Sequence, residues 1–101
     1  MSAQVRVKLN ESDSLVTIDP GEQFCFEIAR EFREATKGYP SHTRFVIDLR
    51  NTKFMDSAAL GMLLLLRETY DNGHRIQLAN ANAHIQKILS ITRFERYFDI
   101  G

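Results

Sequence analysis

Phe54-Met55-Asp56-Ser57-Ala58-Ala59-Leu60-Gly61 decides the reading of this 101-residue chain, because it carries an Asp-Ser pair across the junction between a strand-derived loop and a strongly apolar helix. Upstream, Arg44-Phe45-Val46-Ile47-Asp48-Leu49 is a short, β-rich run that reads as a buried strand. Downstream, Met62-Leu63-Leu64-Leu65-Leu66 continues as helix, which predicts a helix over residues 57–71 ended by Asn72-Gly73. Ser57 then falls in the first turn. Backbone N–H groups there have no intrahelical partner, and the helix dipole favours negative charge. A phosphate on Ser57, bringing a charge of about −1.5 to −2 at neutral pH, would meet an anion-binding arrangement.

Working outward, Val5, Val7 and Leu9 alternate with Arg6, Lys8 and Asn10, the period of a strand with one buried face. Leu15-Val16-Thr17-Ile18 follows a polar turn and completes an antiparallel hairpin. Asp19-Pro20-Gly21 breaks the strand. Glu22 to Lys37 reads as a helix with Phe24, Ile28, Phe32 and Ala35 on one stripe and Gly38 closing it. A further strand is expected over about residues 75–78, and Asn82 is placed to cap a helix over 83–91. Alternating strands and helices imply parallel pairing with right-handed crossovers. The expectation is a single α/β domain over residues 1–101, with a mixed four- to five-stranded sheet (the N-terminal hairpin plus parallel strands) and helices packed on it.

The stretch Phe54 to Gly61 resembles the phosphorylatable segment of STAS domains, the anti-sigma-factor antagonists of bacterial partner-switching systems, in which the serine after the aspartate accepts phosphate from an anti-sigma kinase. Residues 72–81, Asn72-Gly73-His74-Arg75-Ile76-Gln77-Leu78-Ala79-Asn80-Ala81, resemble the family's next strand and loop. The segment from Ile88 to Ile100 resembles its closing L-x-x-T-x-x-x-x-x-F-x-I pattern. Residues 44–101 carry most of the likeness. The first half departs from it: Cys25 stands where the family usually has an aspartate after Gly-x-Leu/Phe, and Ala58-Ala59 replaces the common Ser-Gly. Neither change removes the acceptor hydroxyl of Ser57.

Composition narrows the function classes. Lys plus Arg and Asp plus Glu balance at 13 each, so the basic footprint that binds a phosphate backbone is missing and nucleic acid is not expected as a ligand. No apolar run approaches the ~18 residues of a membrane span, and Met1-Ser2-Ala3-Gln4-Val5-Arg6 lacks the apolar core of a signal peptide, which predicts a cytoplasmic protein not inserted in a membrane. The lone Cys25 reads as a buried small hydrophobe in a helical pattern. His42, His74 and His84 have no neighbour at zinc-like spacing, so no metal is implied. The glycines form neither nucleotide-binding loop pattern, so no cofactor is implied. Ser57 lacks the G-x-S-x-G elbow of hydrolases, and the chain is not expected to be an enzyme.

Three candidate features, Asp56, the Leu64–Leu65 pair and Gly61, keep two readings each. Asp56 either stabilises the helix start through the dipole or orients Ser57 and engages a kinase's active site. At 100 degrees per residue, Ala59, Met62, Leu63, Leu66 and Tyr70 share one face of the helix, while Ser57, Gly61, Leu64, Leu65 and Glu68 lie on or near the opposite one. Either a flanking helix covers Leu64 and Leu65, or they form an exposed patch near Ser57 where a partner docks. Gly61 costs about 1 kcal/mol relative to alanine inside a helix, which points to a close approach by another chain or by the protein's own backbone.

The resemblance implies a regulator that binds a serine kinase/anti-sigma factor of the histidine-kinase-like ATPase type through Asp56, Ser57, Ala58, Gly61, Leu64, Leu65 and Glu68, and is released when Ser57 is phosphorylated. It also implies a PP2C-type phosphatase that restores the hydroxyl. The kinase would bring its own ATP and Mg²⁺. Phe24-x-Phe26 resembles relatives that act outside sigma control, for example on a cyclic-di-GMP enzyme, and other small members are accessory subunits of lipid-transport ABC systems. Covalent catalysis by Ser57 is the weakest alternative.

Overall fold

A computed structural model describes residues 4–101. The start examined above for a leader lies outside the described residues as far as Ala3. Strands β1 (Arg6–Asn10), β2 (Leu15–Asp19), β4 (Arg44–Asp48), β6 (Gln77–Ala79) and β7 (Asp99–Ile100) form one mixed sheet in the order β1-β2-β4-β6-β7. The helices are α1 (Ala29–Thr36), α2 (Ser57–Thr69) and α3 (Ala83–Ile91). Only the β1–β2 hairpin is antiparallel; β2–β4, β4–β6 and β6–β7 are parallel. Each parallel crossover steps the same way along the sheet, so right-handed connections put all three helices on one face. The molecule is correspondingly flat, with extents of 36 × 33 × 19 Å.

Alternation along the strands follows from this one-sided cover. Val16 and Ile18 of β2, Phe45 and Ile47 of β4, and Leu78 of β6 are buried under Phe32, Ala59, Leu63, Leu66, Ile85 and Leu89. The opposite face, with Thr17, Val46 and Gln77, carries no helix. Ring contacts Phe24–Phe32, at 5.1 Å between centroids, and Phe45–Tyr70, at 4.6 Å, fill the space between helix and sheet. Tyr70 Oη donates to Thr36 O at 2.6 Å and so ties the ends of α1 and α2 together.

The structure departs from the sequence expectation in four places. The helix expected over residues 22–37 is in fact strand β3 (Gln23–Phe24), a 3-10 turn at Phe26–Ile28 and then α1. Phe24, Ile28 and Phe32 are all buried as the helical stripe requires, but Phe24 is buried as a strand residue. It pairs in parallel with Met55 of β5 (Phe54–Met55), a stretch expected to be loop, and Glu22 O accepts both Lys53 N–H and Phe54 N–H. The turn that feeds β3 depends on Gly21, whose φ of +87° is left-handed and where a Cβ would run into Gln4.

Cys25 accordingly precedes a 3-10 turn in extended backbone, and it is buried as a small hydrophobe. The buried face expected for the first strand is the third difference. Val7 and Leu9 point to the helix side opposite Ile18 and Val16, yet stay 45% and 48% exposed, because β1 is the edge strand and the helices cover the inner strands. Lastly, the tail forms a strand the sequence reading did not place, β7, which supplies the fifth strand of the expected four- to five-stranded sheet, with Asp99 N–H donating to Ile76 O and Gly101 N–H to Leu78 O. Asn82 caps α3 as its position suggested, accepting from Ile85 N–H at 2.8 Å.

The core assignment is checked by leucine truncation. Leu63→Ala and Leu66→Ala should each cost about 2–5 kcal/mol in chemical denaturation, because both side chains are buried and leave a cavity. Leu64→Ala and Leu65→Ala, at 42% and 54% exposure, should cost well under half as much. Equal losses at all four positions would show that another element covers the outer face of α2.

Candidate functional site

Asp56 is the N-cap of α2, in extended backbone at φ −112° and ψ −178°. Its Oδ1 accepts from Ala59 N–H at 3.0 Å, the bond that stabilises helix starts. Its Oδ2 reaches across to accept from Phe26 N–H at 3.2 Å, and its own N–H donates to Phe24 O at 3.3 Å. The carboxylate thereby joins the helix start to the segment after β3. The helix-start reading of Asp56 accounts for one oxygen; the other is taken by the Phe26 amide.

Ser57 follows as the first residue of α2, exposed, and among the described residues its hydroxyl has no hydrogen-bond partner. The N–H groups of Ser57 and Ala58 carry no bond in this first turn, whereas that of Ala59 is taken by Asp56. An anion on Ser57 therefore meets two open amides, the positive end of the helix dipole and one carboxylate already in place. No acidic side chain lies in the first turn of α2 itself.

Along the helix, Ser57, Gly61, Leu64 and Glu68 form an exposed stripe, and Ala58 is half-buried beside it. Among the described residues no flanking helix covers Leu64 and Leu65, which are both exposed, but the two leucines part company. Leu64 sits with Arg67, Glu68 and Asp71, whereas Leu65 turns to the groove shared with α1. Of the two explanations offered for Gly61, approach by the protein's own backbone fails: a Cβ there would meet nothing within 4 Å. The space in front of Gly61 is open.

Phe26 and Phe54 flank Asp56 and are not among the expected partner-binding residues. They are 68% and 49% exposed, large for aromatic side chains. The Phe26 amide is held by Asp56, and Phe54 lies two residues before it. Phe54 opens β5 and Phe26 opens the 3-10 turn two residues after β3, so the pairing of β3 with β5 sets the two segments side by side.

At the carboxyl end of β4, burial raises the pKa of Asp48. That effect is outweighed by hydrogen bonds from Asn80 Nδ2, the Arg50 amide and the Arg50 side chain, together with Arg50's charge, which hold it below the usual carboxylate value. Asp48 stays ionised and joins β4 to the loop after β6. No three His, Cys, Asp or Glu side chains among the described residues converge as metal ligands, and no helix there is long and apolar enough to cross a membrane.

The fold and this helix start define a small α/β domain that presents one serine at the head of its central helix. Residues 7–100 match the family model described as Mlab, STAS domain. A STAS-domain containing protein of Pseudomonas aeruginosa is 41% identical over 88 residues, spanning 85% of this chain and 87% of that protein. The chain belongs to the STAS domain family.

Solved structures show the same fold. An anti-sigma-factor antagonist (STAS) domain protein from Planctomyces limnophilus has a TM-score of 0.81 at 17% identity, covering 100% of this chain and 91% of that one. The anti-sigma factor antagonist SpoIIAA in its unphosphorylated form has a TM-score of 0.71 at 15% identity, covering 96% and 86%. The phosphorylated form of SpoIIAA, a Bacillus cell fate determinant, gives 0.66 at 14% identity, covering 96% and 90%.

The role of Asp56 in holding the site is tested by truncation. Asp56→Ala should cost about 0.5–2 kcal/mol of stability through the lost cap, and Asp56→Asn, which keeps one acceptor for Ala59 N–H, should cost less. Chemical denaturation of the two variants measures this; an alanine variant as stable as wild type would mean that the cap does not hold the helix start.

Proposed function

We propose that this chain is a partner-switching regulator of the anti-sigma-factor antagonist type, which binds a serine kinase/anti-sigma factor while Ser57 is free and is released when Ser57 is phosphorylated. The observation that carries this reading is the unpartnered Ser57 hydroxyl on an exposed, partly apolar helix stripe, with open space before Gly61. A serine that served only as a helix cap would sit one residue earlier and bond the helix amides, a role Asp56 already fills. Family membership supports the reading, as does the fold shared with SpoIIAA, known in both unphosphorylated and phosphorylated forms.

Mechanistically, Ser57 Oγ bonds to the γ-phosphorus of the kinase's ATP as the bond to the β–γ bridging oxygen breaks and ADP leaves, and the hydroxyl proton passes to a base of the kinase. The chain needs no catalytic group or cofactor of its own. Phosphorylation adds about −1.5 to −2 charge beside the fixed Asp56 carboxylate, on a surface that a bound partner must desolvate. The open Ser57 and Ala58 amides accommodate the phosphate within the chain, whereas acidic or apolar groups of the partner are repelled. A PP2C-type phosphatase resets the switch in the cytoplasm.

Binding of Ser57→Ala to the kinase partner should match that of the unphosphorylated wild type, and Ser57→Asp should weaken it, as read by calorimetry. Equal affinity for all three forms would sink the proposal. Because the amides are already oriented, phosphorylation should shift NMR signals only across residues 54–65 and at Phe26, whose amide is tied to Asp56. Changes spread through β1 and α3 would contradict a local charge switch.

A further inference from the structure

Alongside the Ser57 stripe, and sharing none of Ser57, Gly61 or Leu64, runs a groove between α1 and α2. Its floor is Phe32 and Leu66. Met62 and Leu65 form the α2 wall, and Arg33 and Lys37 stand on the α1 wall. Leu65, 54% exposed, and half-buried Met62 leave the apolar side of the groove open to solvent.

The α1 wall carries two arginines without an ion pair among the described residues. Arg30 and Arg33, three residues apart, share one flank of α1, and Lys37 follows as its C-cap in extended backbone. Lys37 pairs with Glu34 at 3.0 Å, in a bridge that is exposed at both ends. Across the groove, α2 offers apolar side chains and Thr69. An occupant that matches both walls is apolar on the side facing Leu65 and carries carboxylates on the side facing the arginines. The apolar groups line a concavity between two helices, and a third helix fits there ridge into groove with its axis about 8–10 Å from its neighbours. A bilayer would need them on a convex face.

We propose that this groove docks an amphipathic helix of a partner protein, with leucine-like side chains against Met62 and Leu65 and a flank of glutamates or aspartates against Arg30, Arg33 and Lys37. The site is separate from the Ser57 stripe, so the chain can hold a second protein segment while Ser57 faces its kinase. Recognition rests on an apolar anchor for affinity and on charge for orientation.

The test uses the full chain and three probes: a fluorescein-labelled designed helical peptide of about 16 residues with leucines on one stripe and glutamates on one flank, the same peptide with lysines for the glutamates, and phosphatidylglycerol vesicles. Anisotropy should show the glutamate peptide binding at least about tenfold more tightly than the lysine peptide. Arg33→Glu/Lys37→Glu should invert that preference, and Leu65→Glu should weaken the glutamate peptide by about tenfold or more. All three positions are exposed or half-exposed on helices, so unchanged melting will confirm that the variants fold. Equal affinity for the two peptides, no binding by about 1 mM, an unaltered preference in the double variant, or association with vesicles in place of the peptide would each overturn the proposal. None of these readouts involves the kinase, so failure here leaves the Ser57 reading standing.

Discussion

Every parallel crossover in this chain steps in the same direction across the sheet, from β2 to β4 to β6 to β7, and that handedness constraint governs the rest. It places three helices on one face, leaves the other face bare, and gives the domain one core between them. The central helix α2 is hemmed by its neighbours at its base and sides, so Ala59, Leu63 and Leu66 are buried while Ser57, Gly61 and Leu64 look outward. A sheet with crossovers in both directions would have hidden one helix layer from the other and split the core.

Within that frame, the Asp56 carboxylate sets the local geometry of the candidate site. One oxygen fixes the first turn of α2, and the other holds the backbone at Phe26, thirty residues away in sequence. Both bonds run from backbone amides to a charged acceptor, the stronger class of hydrogen bond. The serine beside it is therefore presented from a rigid helix start, and a charge added there acts on a surface already shaped. Phe26, whose amide Asp56 holds, and Phe54, two residues before it, are exposed aromatic side chains.

The surface divides into two parts with different chemistry. The Ser57 stripe is small, polar and partly apolar, suited to a reversible charge switch. The α1–α2 groove is apolar with a cationic wall, suited to holding a helix. Leu64 and Leu65, adjacent in sequence, lie on one each, because successive helix residues lie about 100° apart.

What the sequence by itself determined was set by short-range physics. Hydrophobic period placed α2, α3, β2 and β4 within a few residues, the Asp-Ser junction located the start of α2, and the absence of a basic surplus or a long apolar run narrowed the partners. Leu64 and Leu65 could be assigned to the outer face, but whether they were covered depended on where neighbouring helices lay. Tertiary structure alone decided that Phe24 belongs to a strand, since spacings of four residues fit a helix and only its pairing with Met55 supplies the alternative. It alone decided that Val7 and Leu9 stay half-exposed, because alternation reports which way side chains point and not whether anything covers them. And only the assembled fold brought the Phe26 amide to Asp56, because nothing local to either residue records a contact made across thirty residues of chain.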